Sequence, residues 1–138
     1  NKETPSPFQL NYHKDENIDN YRSYHIPILV NIGSSRSCPK CKQIENELKV
    51  LRKDIGEKAI IKIIDLEKYP DYKKIYSIKK IPTQVFIPAE EKSSIDNFYT
   101  KLKEIKDENG NLIYLVHEGY LSKKELRTIL TQLGMQEN

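Results

Sequence analysis

Two short apolar runs constrain this chain most: "IPILVNI" at residues 26–32 and "AIIKIIDL" at residues 59–66. Each is rich in β-branched residues and nearly continuous in hydrophobicity, the pattern of a strand covered on both faces. Between them the period changes. Cys41, Ile44, Leu48, Leu51 and Ile55 recur at spacings of three and four, the stripe of a helix that runs from Pro39 and is closed by Gly56. A strand, a helix and a second strand in this order predict a parallel βαβ unit.

The flanking segments extend that unit. "DENIDNYRSYH" puts Ile18, Tyr21 and His25 at helical spacing after a cap at Asp15, predicting a short first helix. "YPDYKKIYSI" predicts another helix with Pro70 in its first turn and Tyr72, Ile75 and Tyr76 buried. Ile81-Pro82-Thr83 leads into a third strand, "QVFI", and "NLIYLVHEG" is a fourth, preceded by the hairpin signal Asn109-Gly110. Ser122 and Glu125 form a capping box for a last helix with Leu126, Ile129, Leu130 and Leu133 on its buried stripe and Gly134 as its stop. The order after the first helix is β-α-β-α-β-β-α, with the early strands expected parallel and the last two antiparallel. That is a three-layer α/β/α domain on a mixed four-stranded sheet.

At 138 residues the chain suits one domain. Residues 1–14, opening with "NKETPSP", read as a disordered linker, and 15–138 as the domain. The chain starts at Asn1, so we expect a segment removed ahead of it, such as a signal peptide or lipid anchor. Within the domain, residues 89–106 are more than a strand connection needs. Ile95, Phe98, Leu102 and Ile105 recur at helical spacing there, so an inserted amphipathic helix is expected, at the sheet end away from Cys38, as a packed embellishment or partner surface.

Composition excludes several classes. The net charge of +3 is scattered, without the dense basic stripe of a nucleic-acid-binding element. No stretch approaches the roughly 18 continuous apolar residues of a membrane helix. Two cysteines in the whole chain cannot serve as a disulfide scaffold.

Those two cysteines lie in "GSSRSCPKCKQIENEL", residues 33–48. Cys41 belongs to the buried stripe one turn before Ile44, so its sulfur is expected inside. Cys38 precedes Pro39 and is expected at the helix start, open to solvent. Unpaired N–H groups and the helix dipole favour a thiolate there, and Lys40 and Arg36 add positive charge. Such surroundings bring a cysteine pKa from about 8.5 into the range of roughly 3.5 to 7.5. Cys38 is thus the expected nucleophile and Cys41 the expected resolving thiol. A metal site would need two more ligands, and His13, His25 and His117 have no zinc-like spacing from the pair. A structural staple would close a tiny loop that constrains the unfolded chain little. Redox use is the favoured reading.

From Ile26 to Gly134 the chain resembles the thioredoxin superfamily, through "ILVNIGSSRSCPKCK", "IKKIPTQVFI" and "VHEGYLSKKEL". The resemblance implies the thioredoxin fold, a protein-disulfide oxidoreductase activity and no cofactor or metal. It implies that Pro82 is a cis-proline facing the cysteine pair, that Ile81 and Thr83 bind an extended substrate segment, and that Gly119 lets substrate approach. Pro39 and Lys40 replace the usual glycine-proline dipeptide between the cysteines and would tune the pair. Ser37 stands where an aromatic residue is usual. The family's buried acid aligns with Asn31 or, without a gap, with Ile32, and neither ionises. Lys62 matches a buried family lysine or is a strand residue reaching to the surface, so deprotonation of Cys41 falls to water, Lys62 or a substrate group.

Isoleucine before the cis-proline resembles reducing thioredoxins, so a disulfide reductase is expected. Its partners would be disulfide-containing proteins and a reductant donor such as a membrane thiol carrier, with no nucleic acid. The linker-like start and the Pro39-Lys40 dipeptide resemble extracytoplasmic, membrane-tethered members. The rivals are a disulfide oxidase or isomerase, and a non-catalytic copper or zinc chaperone. Lys79 and Lys80, with Lys40, Lys42 and Arg36, would attract acidic partners or simply reflect a lysine-rich composition.

Overall fold

The computed structural model describes residues 5–92 and 101–137. Its strands are β1 (Ile28–Gly33), β2 (Ile60–Asp65), β3 (Thr83–Ile87), β4 (Lys103–Lys106) and β5 (Leu112–Glu118). The α-helices are α1 (Pro39–Ile55), α2 (Tyr72–Ile75) and α3 (Lys123–Gln132), and the first helical segment, Ile18–Tyr24, is a 3-10 helix capped by the Asn17 side chain. Sheet order is β2-β1-β3-β5-β4.

The βαβ unit forms as its pattern predicts. β1 and β2 pair in parallel, Ile28 beside Ile60 through Gly33 beside Asp65, and every residue of β1 is buried. α1 and α3 cover one face through Leu48, Leu51, Leu126 and Ile129, packed on Leu29 and Phe86. The other face carries Val30, Ile32 and Val85 under Ile78 and a layer of tyrosines. Both layers follow from side-chain alternation along strands buried twice over.

β3 departs from the expected parallel run: it is antiparallel to β1, with Ile32 beside Thr83 and Ile28 beside Ile87. A parallel return would have to recross the sheet, roughly 20 Å for a six-residue strand. α2 is four residues long, about 6 Å of rise. The connection from Asp65 holds no element long enough to recross the sheet, and it starts and finishes at the same sheet end. Ile75, expected inside, is 57% exposed on this short turn.

A fifth strand replaces part of the expected insertion helix. β4 pairs antiparallel with β5, so Ile105 lies in a strand and Leu102 packs against the α1–α3 core. The Asp107–Gly110 turn explains the outcome. Asp107 Oδ1 accepts from the N–H groups of Asn109 and Asn111, and Gly110 takes φ +82°. A hairpin turn recruits a strand from each side, overriding a weak helical period. Ile95 and Phe98 lie outside the described residues.

Within the stretch read from the sequence as linker, residues 10–12 pair with the edge of β2. Tyr12 N–H donates to Ile63 O and Ile63 N–H to Leu10 O, at 3.0 and 2.7 Å. An open strand edge is a liability, and this segment covers it.

Candidate active site

β1, β3 and β5 bring the site together because the exit of β1, the start of β3 and the exit of β5 share one sheet end: Ile32 pairs with Thr83, and Thr83 with Glu118. Cys38 is the N-cap of α1 and Pro39 opens its first turn. Cys38 Sγ accepts the Cys41 N–H at 3.2 Å, so the sulfur takes up one of the donors a helix start leaves free. Cys41 is wholly buried and Cys38 half-buried, and the two form a disulfide with Cα atoms 5.2 Å apart. Lys40 and Arg36 are exposed beside them.

Gly33 is a member of the site that the sequence reading missed. A Cβ there would stand 3.0 Å from Cys41 Sγ and 3.3 Å from its Cβ, so α1 docks this closely only over a glycine. A glycine ending an otherwise β-branched strand was the available signal. Ser37, directly before Cys38, takes a left-handed backbone at φ +48°.

The Ile81–Pro82 bond is cis. Pro82 is buried, Ile81 is 38% exposed, and among the described residues the Ile81 main chain makes no hydrogen bond. Gly119 N–H donates to Pro82 O at 2.8 Å, and Gly119 has φ +107°, which favours glycine. Gly119 thus fixes the proline loop directly. Thr83 holds no substrate-facing side chain: it is buried, and its hydroxyl donates to Lys80 O at 2.6 Å. The first position of β3 turns it inward.

Lys62 is likewise misplaced by the sequence reading. Its register partner Val30 belongs to the face opposite α1, so the lysine stands across the sheet from Cys41. It is fully buried, ion-paired with Glu16, and donates to Ser6 O and Gln9 O at 3.0 and 2.9 Å. Burial pushes its pKa down, opposed by Glu16. Its task is to bind the N-terminal segment to the sheet.

Of the two positions the resemblance offers for a buried acid, Asn31 alone lies on the α1 face. Asn31 is two residues from Leu29 on the α1 face, whereas Ile32 faces the tyrosine layer. Asn31 pairs with Gln84 and Gln84 with His117 across three strands, and the three side chains are hydrogen-bonded in line. Burial pushes the His117 pKa down. Gln84 went unread in the sequence although it is the polar residue of an apolar strand. Among the described residues no group of three or more His, Cys, Asp or Glu side chains could hold a metal ion.

The family model described as Thioredoxin matches residues 10–108. The chain belongs to the thioredoxin family. Thioredoxin-1 of Drosophila melanogaster is 32% identical over 50 residues, a match covering 36% of this chain and 47% of that relative's length. Among solved structures, chloroplastic thioredoxin z aligns with TM-score 0.67 at 17% identity, over 90% of this chain and 92% of that one. A mutant thioredoxin from Halobacterium salinarum aligns with TM-score 0.64 at 15% identity, over 99% of each chain. A Fasciola hepatica thioredoxin gives 0.56 at 19% identity, over 83% and 89%. These likenesses show the thioredoxin fold.

Proposed function

We propose that the protein is a thiol–disulfide oxidoreductase that reduces disulfides in protein substrates through Cys38 and Cys41. The observation that carries this reading is the placement of the pair: one sulfur half-buried at a helix N-terminus, the other wholly buried behind it. The Cys38 thiolate attacks a substrate disulfide, expelling one substrate thiolate and forming a mixed disulfide. Cys41 loses its proton and attacks Cys38 Sγ. The second substrate sulfur leaves with the electron pair, and the Cys38–Cys41 disulfide remains. A dithiol donor then restores both thiols. Ile81, exposed and with its main chain unpaired, offers an edge to which an extended substrate segment can add.

Reduction is the proposed direction, on the likeness of Ile81-Pro82 to reducing thioredoxins. We also propose an extracytoplasmic setting with a membrane thiol carrier as donor, supported by the Pro39-Lys40 dipeptide and Ser37. Protease accessibility of the tagged protein in intact cells tests that setting. For the activity, insulin reduction driven by a dithiol is expected of the wild type and absent in Cys38→Ser. The equilibrium potential of the pair in a glutathione buffer decides direction: a value near or below about −230 mV supports a reductase, and one near about −120 to −180 mV makes it an oxidant or isomerase. Stoichiometric metal retention without turnover would replace the reading with a metal chaperone.

A further inference from the structure

Asn31, Gln84 and His117 form a polar line through the face of the sheet that α1 and α3 otherwise fill with apolar side chains. His117 Nδ1 lies 2.6 Å from Gln84 Oε1, and Gln84 Nε2 donates to Asn31 Oδ1 at 3.0 Å. An amide oxygen only accepts, so Nδ1 carries the hydrogen and the line has one polarity. Its last donor, Asn31 Nδ2, is buried and has no hydrogen-bond partner among the described residues. That group and Cys41 Sγ flank the same spot: the point where a Gly33 Cβ would stand is 3.0 Å from Cys41 Sγ and 4.0 Å from Asn31 Nδ2. A buried orphan N–H is rare in native proteins and calls for a role.

We propose that Gln84 and His117 are positioning residues that hold the Asn31 amide with its NH2 group toward Cys41, where it donates a hydrogen bond to the Cys41 thiolate. The role rests on the oxidoreductase reading. In the resolving step the Cys41 proton passes to water, the Cys38–Cys41 bond forms, and the bond from Cys38 to the substrate sulfur breaks. The amide transfers no proton; it stabilises the anion where an ionisable acid would instead act as base. Of the charged groups, Glu125 and Glu118 act on His117; Asp65 is the register partner of Gly33, and α1, packed over this face, carries Lys40, Lys42 and Glu45.

The test titrates the single thiol of the Cys38→Ser protein by the Cys41 13Cβ chemical shift. Gln84→Met removes both amide bonds at similar volume, and His117→Phe removes only the far anchor, at a half-buried site where folding is less at risk. Loss of one hydrogen bond to a charged group is expected to raise the Cys41 midpoint by about one pH unit, a tenfold loss of acidity. His117→Phe is expected to shift it less and in the same direction, and His117→Asn, which keeps an N–H donor at the Nδ1 position, to restore it. An unchanged midpoint in both folded variants overturns the proposal, as does a shift that His117→Asn fails to reverse. This titration needs no substrate. Absent insulin turnover with the shift intact would therefore refute the proposed function and leave the amide's effect on Cys41 standing.

Discussion

Glu16→Ala tests how the N-terminal segment is held. The Glu16 carboxylate accepts from three groups: the Lys62 ammonium, the Tyr21 hydroxyl at 2.7 Å and the His13 N–H at 2.6 Å. Both charged side chains are buried, Lys62 at 0% and Glu16 at 1% exposure. Removing one partner leaves a buried ammonium compensated only by the Ser6 and Gln9 carbonyls. Breaking a buried pair this way costs about 3–5 kcal/mol, a large share of the roughly 5–15 kcal/mol that holds a domain folded. Urea unfolding of the oxidised protein, followed by far-UV circular dichroism at pH 7, measures the loss. Adding Lys62→Met removes the stranded charge, so the double variant is expected to be more stable than Glu16→Ala alone. The pH dependence has a definite sign. Burial holds the Lys62 pKa below its usual 10.5, so between the folded and unfolded values the unfolded chain binds more protons. Stability attributable to Lys62 therefore rises as pH rises through that window, and the Glu16→Ala deficit should shrink from pH 7 to pH 9.5. A cost below about 1 kcal/mol with additive single effects would refute the argument, because it would mean that water reaches the ammonium once Glu16 is gone.

Three further outcomes follow from the site. Lys62→Met is expected to reduce insulin at a rate within about twofold of wild type, since Lys62 and Cys41 occupy opposite faces of the sheet; a larger loss in a folded protein would return Lys62 to the chemistry. Gly33→Ala is expected to cost about 1–3 kcal/mol by overpacking against Cys41, and a urea midpoint equal to wild type would show that α1 yields there. His117 is expected to titrate below its usual 6.5 because burial disfavours its charge. The unfolded chain then takes up the proton first as pH falls, so stability contributed by this group declines below about pH 6.5; a histidine proton titration by NMR with a midpoint at or above 6.5 would contradict this.

The placement of the two cysteines was legible because it is local. Cys38 before Pro39 and Cys41 on the stripe of Ile44 and Leu48 place one sulfur at a helix start and the other inside, whatever the rest of the chain does. The β1-α1-β2 unit and the capping box of Ser122 and Glu125 were legible for the same reason. Lys62 and Thr83 were misjudged because their roles depend on strand facing and on partners distant in sequence, Glu16 and Ser6 for the lysine. β4 was missed because a four-residue strand carries almost no pattern of its own and is specified by the turn that pairs it with β5.

Short-range periodicity and caps encode where the apolar strands and helices lie, which thiol is the more accessible, and where the chain turns. The antiparallel run of β3, the pairing of residues 10–12 with the β2 edge, and the line of Asn31, Gln84 and His117 come from the three-dimensional packing. Asn31 and His117 are 86 residues apart in the chain. Gln84 links them through strand register across the sheet, which no local spacing records.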